Sequence, residues 1–309
     1  LRVSVVLITW NSAPYLRRCL AGIAGQSHRD LELIVVDNAS SDDSLALARD
    51  ANIIIRNQEN RGFAAAANQG IAAASGEFVV LINPDCFLTP DYIEKVIAAM
   101  SDDIGSATGT LIRAKGNEIE PTDEIDSTGI RMTRSGRHLD DNRQPTTDNE
   151  VFGVSAAAAV YRMSFLRDVA IDGEIFDEDF FAYREDADLA WRGRLLGWRA
   201  LHVADAIAYH VRHVTPERRA QLSPLINMHS VKNRFLLRWK NEGAYLALRN
   251  FPFESARDLV VLAAVLTVER SSLPALAWLW KNRRRVMAKR REIQRRRRVS
   301  DRAVAVWFR

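Results

Sequence analysis

Cysteine is almost missing from this chain, and its two copies, Cys19 and Cys86, both sit in apolar surroundings. That excludes a disulfide framework and fits a reducing compartment. Gly-x-Gly-x-x-Gly and Walker patterns are lacking too, which leaves dinucleotide and P-loop readings without support. No apolar run reaches the ~20 residues that span a bilayer. The N-terminus shows no basic segment, apolar core or small-residue cleavage site, so no signal peptide is expected. Repeats and low-complexity segments are absent ahead of the C-terminal tail. What is present is an ordinary globular composition, 309 residues with 47% hydrophobic and 27% charged, enough for one large domain or two modest ones.

The net charge of +4 hides an uneven distribution. Residues 281–309 carry 13 Lys/Arg against 2 Asp/Glu, a net of +11, which leaves −7 on the first 280. The tail is therefore expected to bind something distinct from what the body binds. Two apolar runs, 259–268 and 273–280, lead into it, and Trp278 and Trp280 abut KNRRRVMAKRREIQRRRR. Leu279, Val286 and Ile293 recur every seven residues. A basic helix with an apolar stripe and flanking tryptophans suits an anionic membrane surface. The alternatives are packing on the main domain or a homodimer seam. Nucleic acid is not an expected partner, since no recognition fold accompanies the arginines. The expected location is peripheral, on the cytoplasmic side of the inner membrane.

Strands at 3–9, 31–36, 53–55 and 78–82 alternate with helices at 14–24, from the caps at 40–43 through 51, at 62–74 and at 91–100. Such alternation predicts an α/β, largely parallel, doubly wound sheet. Residues 113–150 turn polar and read as an insertion or a loop with short strands. Periodicity returns at 151–162, followed by a helix at 185–196 and strands at 199–203 and 206–210. From 225 the pattern is helical. The expected division is a catalytic domain at 1–235, with halves of about 1–112 and 113–235, and a helical basic region at 236–309.

The most informative stretch is EFVVLINPDCFLTPD at 77–91. Its apolar run is a strand buried on both faces, and Asn83, Pro84 and Asp85 stop it. Ligands of open α/β sheets sit at strand carboxyl ends. A carboxylate there can hold a divalent cation against a diphosphate; capping of the next turn is the competing role. Asp37 ends a neighbouring strand, with Thr9 and Asn11 ending the one before. Two polar strand ends side by side form a nucleotide pocket, in which Asp37 can accept from a base or ribose, or else cap a helix. In ENRGFAAAANQG at 59–70, Gly62 lets a backbone come close, and Asn60 and Asn68 can orient a sugar or phosphate. Simple close packing is the alternative. Glu185, Asp186 and Asp188 open a helix, where carboxylates suit the positive dipole end; a functional role needs one of them to take a proton from an attacking hydroxyl. His210, with His213 after it, is either structural or a neutral imidazole for the cation at Asp85.

Six segments carry a resemblance: VSVVLITWNSAPYLRRCL, LELIVVDNASSDDS, ENRGFAAAANQG, EFVVLINPDCFLTPD, FDEDFFAYREDADLAWRGRLLGW and AIAYHVRH. Over about 1–213 they closely resemble, in order, family 2 glycosyltransferases, inverting nucleotide-sugar enzymes with a GT-A type fold. The resemblance implies nucleotide contacts at Thr9, Asn11 and Asp37. It places Asn83 and Asp85 on the Asp-x-Asp metal motif, with asparagine replacing the first aspartate, so that Asp85 does most of the coordination of Mg²⁺ or Mn²⁺. Asp186 matches the catalytic base, with Glu185 the second choice, and His210 matches a histidine that completes the metal site in some members. ENRGF and the INPD variant are most similar to bacterial rhamnosyltransferases. That implies a dTDP-L-rhamnose donor, with a UDP-hexose the alternative, and a lipid-linked or polysaccharide acceptor in envelope glycan synthesis. A catalytically degenerate nucleotide-sugar- or glycan-binding protein is the competing class, with Asn83 its only motif.

Overall fold

The structure is a computed structural model that describes residues 1–116, 119–143, 147–212 and 223–309. Strand β1 (Val3–Thr9) is buried along its whole length, as an apolar strand covered on both faces must be. Helix α1 (Ala13–Ala24) covers one face with Leu16, Cys19 and Ile23, which share a stripe at helical spacing. Strand β2 (Leu31–Asp37) pairs parallel with β1 and sets Asp37 opposite Thr9. The helix expected through residue 51 shortens to α2 (Ser44–Leu47). Strand β3 (Ile53–Arg56) pairs with β2, helix α3 (Phe63–Ala73) buries Ala64, Ala65, Ala66 and Ala67, and β4 (Phe78–Ile82) pairs parallel with the other side of β1.

The second half is mixed rather than parallel. Strand β5 (Cys86–Leu88) and helix α4 (Tyr92–Ala98) lead to β6 (Ile104–Lys115), a long strand with no clear sequence signal. The polar 113–150 region contains β7 (Glu120–Ser127), β8 (Ile130–Met132) and β9 (His138–Asp140). Then come β10 (Asn149–Val151), β11 (Ala158–Arg162), helix α5 (Met163–Val169), helix α6 (Glu185–Leu195) and β12 (Arg199–His210). The main sheet runs β10-β12-β6-β11-β4-β1-β2-β3, with β11 antiparallel to both neighbours. The two strands expected at 199–203 and 206–210 are one strand with a register shift between Val203 and Ile207. Gly109 of β6 lies there because an added Cβ would come within 2.1 Å of the Ala206 carbonyl oxygen.

Helices α7 (Pro224–Asn241), α8 (Ala244–Thr267), α9 (Leu273–Arg296) and α10 (Asp301–Val304) complete the chain. The expected division at 235/236 falls inside α7, so the helical region is not set apart from what precedes it. Leu279, Val286 and Ile293 are buried, and Val286 and Ile293 share a core with Trp191 of α6 and Leu236 of α7. That corrects the expectation that this stripe meets a membrane: it packs on the protein. The basic side chains beside it are also engaged, Lys289 with Asp177 and Glu174, Arg285 with Asp179, and Arg298 with Asp168.

Candidate active site

Register brings the first two candidates together. Strand β5 pairs antiparallel with β12 so that Cys86 faces His210, and the Val211 N–H donates to the Asp85 carbonyl. Asp85 Oδ1 then lies 3.5 Å from His210 Nε2, while His210 Nδ1 lies 2.8 Å from Asp126 Oδ2. Burial alone would depress the imidazole pKa, but the two flanking carboxylates outweigh it and lift it to about 9. Asp126 is buried on β7 and is approached by Arg113 at 3.3 Å and Arg212 at 3.5 Å. An oxygen and a nitrogen 3.5 Å apart resemble neighbouring ligands of one octahedral cation, an edge of ~3 Å for bonds of about 2.1 Å. A carboxylate behind the imidazole is the usual outer partner of a metal-bound histidine. The residues present fit a divalent cation that displaces the proton the two carboxylates hold on His210, although among the described residues no three potential ligands converge.

The base candidates follow a strained turn. Phe181, Tyr183 and Arg184 all have positive φ, 66°, 70° and 73°, a conformation that costs free energy and has to be held in place. Asn233 of α7 holds it by donating to the carbonyls of Phe180, Ala182 and Tyr183. Asp186 emerges half-buried in the first turn of α6. Burial and nearby Asp140 raise its pKa to about 6, against hydrogen bonds from the Ala187 and Ala156 N–H groups. Glu185 is buried, and its Oε2 has no partner among the described residues. Burial and then Asp186 push its pKa well above the usual carboxylate range, which favours its neutral form. Asp188 is buried against Arg192, Lys240 and Asn241.

These segments form one network. Arg212 pairs with Asp140 of β9, approaches Asp126, and feels the charge of Asp186. On the other side, Ala156 N–H reaches Asp186 and the neighbouring Ala157 carbonyl accepts from Asn83 N–H at 3.0 Å. Sequence reading missed Asp126, Asp140 and Arg212. The first two lie in the aperiodic 113–150 region, and Arg212, although inside the AIAYHVRH segment, was given no role there beside His210. His213 lies outside the described residues.

The donor-side candidates divide into two groups. Thr9 Oγ1 donates to Asp37 Oδ1 at 3.1 Å and Ser40 N–H to Asp37 Oδ2 at 3.2 Å, so the buried Asp37 also anchors its own turn. Asn11 Oδ1 accepts from the Ser41 N–H and hydroxyl, joining the ends of β1 and β2. Between Thr9 and Asn11, Trp10 is 56% exposed, a flat apolar face at the strand end that sequence reading passed over. Asn60, Gly62 and Asn68 belong more to the scaffold. Asn60 Oδ1 accepts from Asn38 and from Gly62 N–H. Asn68 spends both ends of its amide on Phe176 and Glu178. Gly62, at φ 82°, has Phe181 where a Cβ would stand, 2.6 Å away.

Residues 4–170 match the family model described as Glycosyl transferase family 2. The chain belongs to that family. This glycosyltransferase is 26% identical over 286 residues to the N-acetylglucosaminyl-diphospho-decaprenol L-rhamnosyltransferase of Mycobacterium tuberculosis, covering 80% of this chain and 91% of that one. It is 28% identical over 196 residues to a Bacillus subtilis protein named as glycosyltransferase EpsH, covering 59% of this chain and only 55% of EpsH. Among solved structures, Staphylococcus aureus TarS 1–349 in complex with UDP superposes with a TM-score of 0.61 at 18% identity, covering 99% of this chain and 88% of that one. GalNAc-T7 with UDP, GalNAc and Mn²⁺ superposes at 0.60 and 15% identity, covering 77% of this glycosyltransferase and 48% of that chain. The fold is that of the GT-A glycosyltransferases.

Proposed function

We propose that this glycosyltransferase transfers L-rhamnose from dTDP-L-rhamnose, with inversion, to a lipid-linked or polysaccharide acceptor in cell-envelope glycan synthesis. The 26% identity to a rhamnosyltransferase, spread over 80% of the chain, supports the donor and a lipid-linked acceptor. A UDP-hexose is the second reading, supported by the likeness to TarS in complex with UDP-GlcNAc. The observation that carries the chemistry is the shared network that ties Asp85 and His210 to Asp186 through Asp126, Arg212 and Asp140.

In this reading Asp186 takes the proton of the acceptor hydroxyl as that oxygen bonds to the anomeric carbon. The bond from that carbon to the nucleotide diphosphate breaks in the same displacement, on the opposite face, so the configuration inverts. Asp85 and His210 would hold Mg²⁺ or Mn²⁺, which supplies charge neutralisation for the departing diphosphate; the remaining ligands would be oxygens of the donor. Thr9, Asn11 and Asp37 shape the nucleotide end, and Asn83 faces the sugar–diphosphate from the end of β4. A lipid-linked acceptor places the enzyme at the cytoplasmic face of the inner membrane, as a peripheral protein.

Nucleotide release tests the reading. The protein is incubated with dTDP-L-rhamnose or UDP-hexoses, a polyprenyl-diphosphate-linked acceptor, and Mg²⁺, Mn²⁺ or a chelator. Metal-dependent release from dTDP-L-rhamnose is expected. Release from a UDP-sugar alone would move the donor to the second reading, and no release from any donor would overturn the transferase.

A further inference from the structure

Helix α8 is amphipathic in the reverse sense to a helix that faces water. Its charges turn inward: Glu254 pairs with Arg238 of α7, Asp258 pairs with Arg234 and Arg238, and Arg249 donates to the Ala305 carbonyl. The outward stripe at positions 245, 248, 252, 256, 259, 263 and 266 follows helical spacing and carries no charge. Leu248 is 79% exposed, Leu259 68% and Leu266 60%. At 1.5 Å per residue the stripe from 245 to 266 of this 24-residue helix extends over about 32 Å. Exposed apolar side chains recur at Val268, at the end of α8, and, past a 105° bend that carries Glu269 and Arg270, at Leu273 and Trp280 of α9. They then give way to Lys281, Arg284, Arg291 and Arg295, all exposed and without a carboxylate partner among the described ion pairs.

We infer that α8 lies along an anionic bilayer, its uncharged stripe and the Val268–Trp280 elbow entering the interface while Lys281, Arg284 and Arg291 meet lipid phosphates. This rests on the peripheral-membrane reading and replaces its inserting surface, since the Leu279, Val286 and Ile293 stripe is buried in the protein. Among the described residues no single helix is long and apolar enough to cross a membrane, and the bend keeps α8 and α9 from forming one straight span. Charge complementarity at the elbow favours lipid over a second copy as the occupant. A two-fold contact through the elbow would bring like-charged Lys281 and Arg284 clusters together, whereas anionic headgroups neutralise them. The surface is mechanically joined to the active site, because α7 receives the α8 carboxylates on one side and braces the turn before Asp186 through Asn233 on the other.

The test is co-sedimentation of the 309-residue chain with vesicles of phosphatidylcholine, with and without phosphatidylglycerol. The wild type should pellet with the anionic vesicles. L259E/L266E should weaken partitioning by at least ~10-fold, with an unchanged melting temperature and unchanged nucleotide release from soluble donor. R284E/R291E should abolish the preference for phosphatidylglycerol. Undiminished vesicle binding by L259E/L266E would overturn the assigned surface while leaving the membrane reading intact. Failure of the wild type to pellet with any vesicle would overturn both. A wild-type dimer that L259E/L266E dissociates, seen by light scattering, would give the face to a second copy and also overturn the proposal.

Discussion

Asp186 and Glu185 are adjacent carboxyls with different fates. Burial holds the half-buried Asp186 at a pKa of about 6, whereas the sealed-in Glu185 is pushed well above the usual carboxylate range. A base must be ionised to accept a proton, so the rate of transfer should fall as pH drops through about 6, measured as kcat/KM against pH. The stability effect has the opposite sign. A carboxyl whose folded pKa is raised favours the fold when protonated, and that contribution is lost as pH rises through about 6. Asp186→Asn should therefore cut transfer by ~10²–10⁴-fold and raise the melting temperature at neutral pH, with donor binding retained. In the proposed site Asp126 would act one step removed, through the His210 imidazole it contacts. Asp126→Asn should weaken Mn²⁺ binding by ~10–100-fold, read by calorimetry in the presence of the nucleotide diphosphate. Unaltered affinity would deny it a positioning role.

Among the elements, the parallel half was legible in the sequence. The runs that become β1, β2 and β4 are predominantly apolar, interrupted only by Ser4 and Glu32 before their last residues, a pattern that suits a strand covered on both faces. Strand β6 escaped notice because Gly105, Gly109 and its threonines interrupt any periodic signal, yet tertiary contacts demand them: an added Cβ at Gly105 would meet Phe165 at 2.4 Å. Helix α2 came out shorter than its capping residues suggested, since Asp42 and Ser44 bond to Ala13 and Ser12 rather than only to their own helix. Gly62 is legible as a close-approach glycine, but what approaches, Phe181, is 119 positions away. Gly62→Ala should cost ~1–3 kcal/mol in chemical denaturation and disturb the turn that carries Asp186. A variant as stable as the parent would show that the turn can retreat.

At the scale of the whole molecule, the basic tail changes meaning. Lys289 and Lys240 are buried between Asp177, Asp188 and Glu174, so part of the tail's excess charge is spent inside the protein. Removing one partner of such a buried pair leaves an uncompensated charge, at a cost of ~3–5 kcal/mol. A chain ended at residue 235 loses the last third of α7 together with the helices that cover Trp191 and Phe180. It should show no cooperative thermal transition, and a native-like transition by calorimetry would mean that the tail is separable. Linear order alone determined the alternating α/β plan, the strand ends that carry Asp37, Asp85 and His210, and the helix start that carries Asp186. These are local facts of hydrophobic run length and of the residues that interrupt it. Only the three-dimensional packing decided that Asp126 and Asp140 join them, that the heptad stripe faces inward, and that α8 turns its charges away from solvent. Each depends on what lies opposite a side chain, and partners a hundred residues apart leave no trace in periodicity.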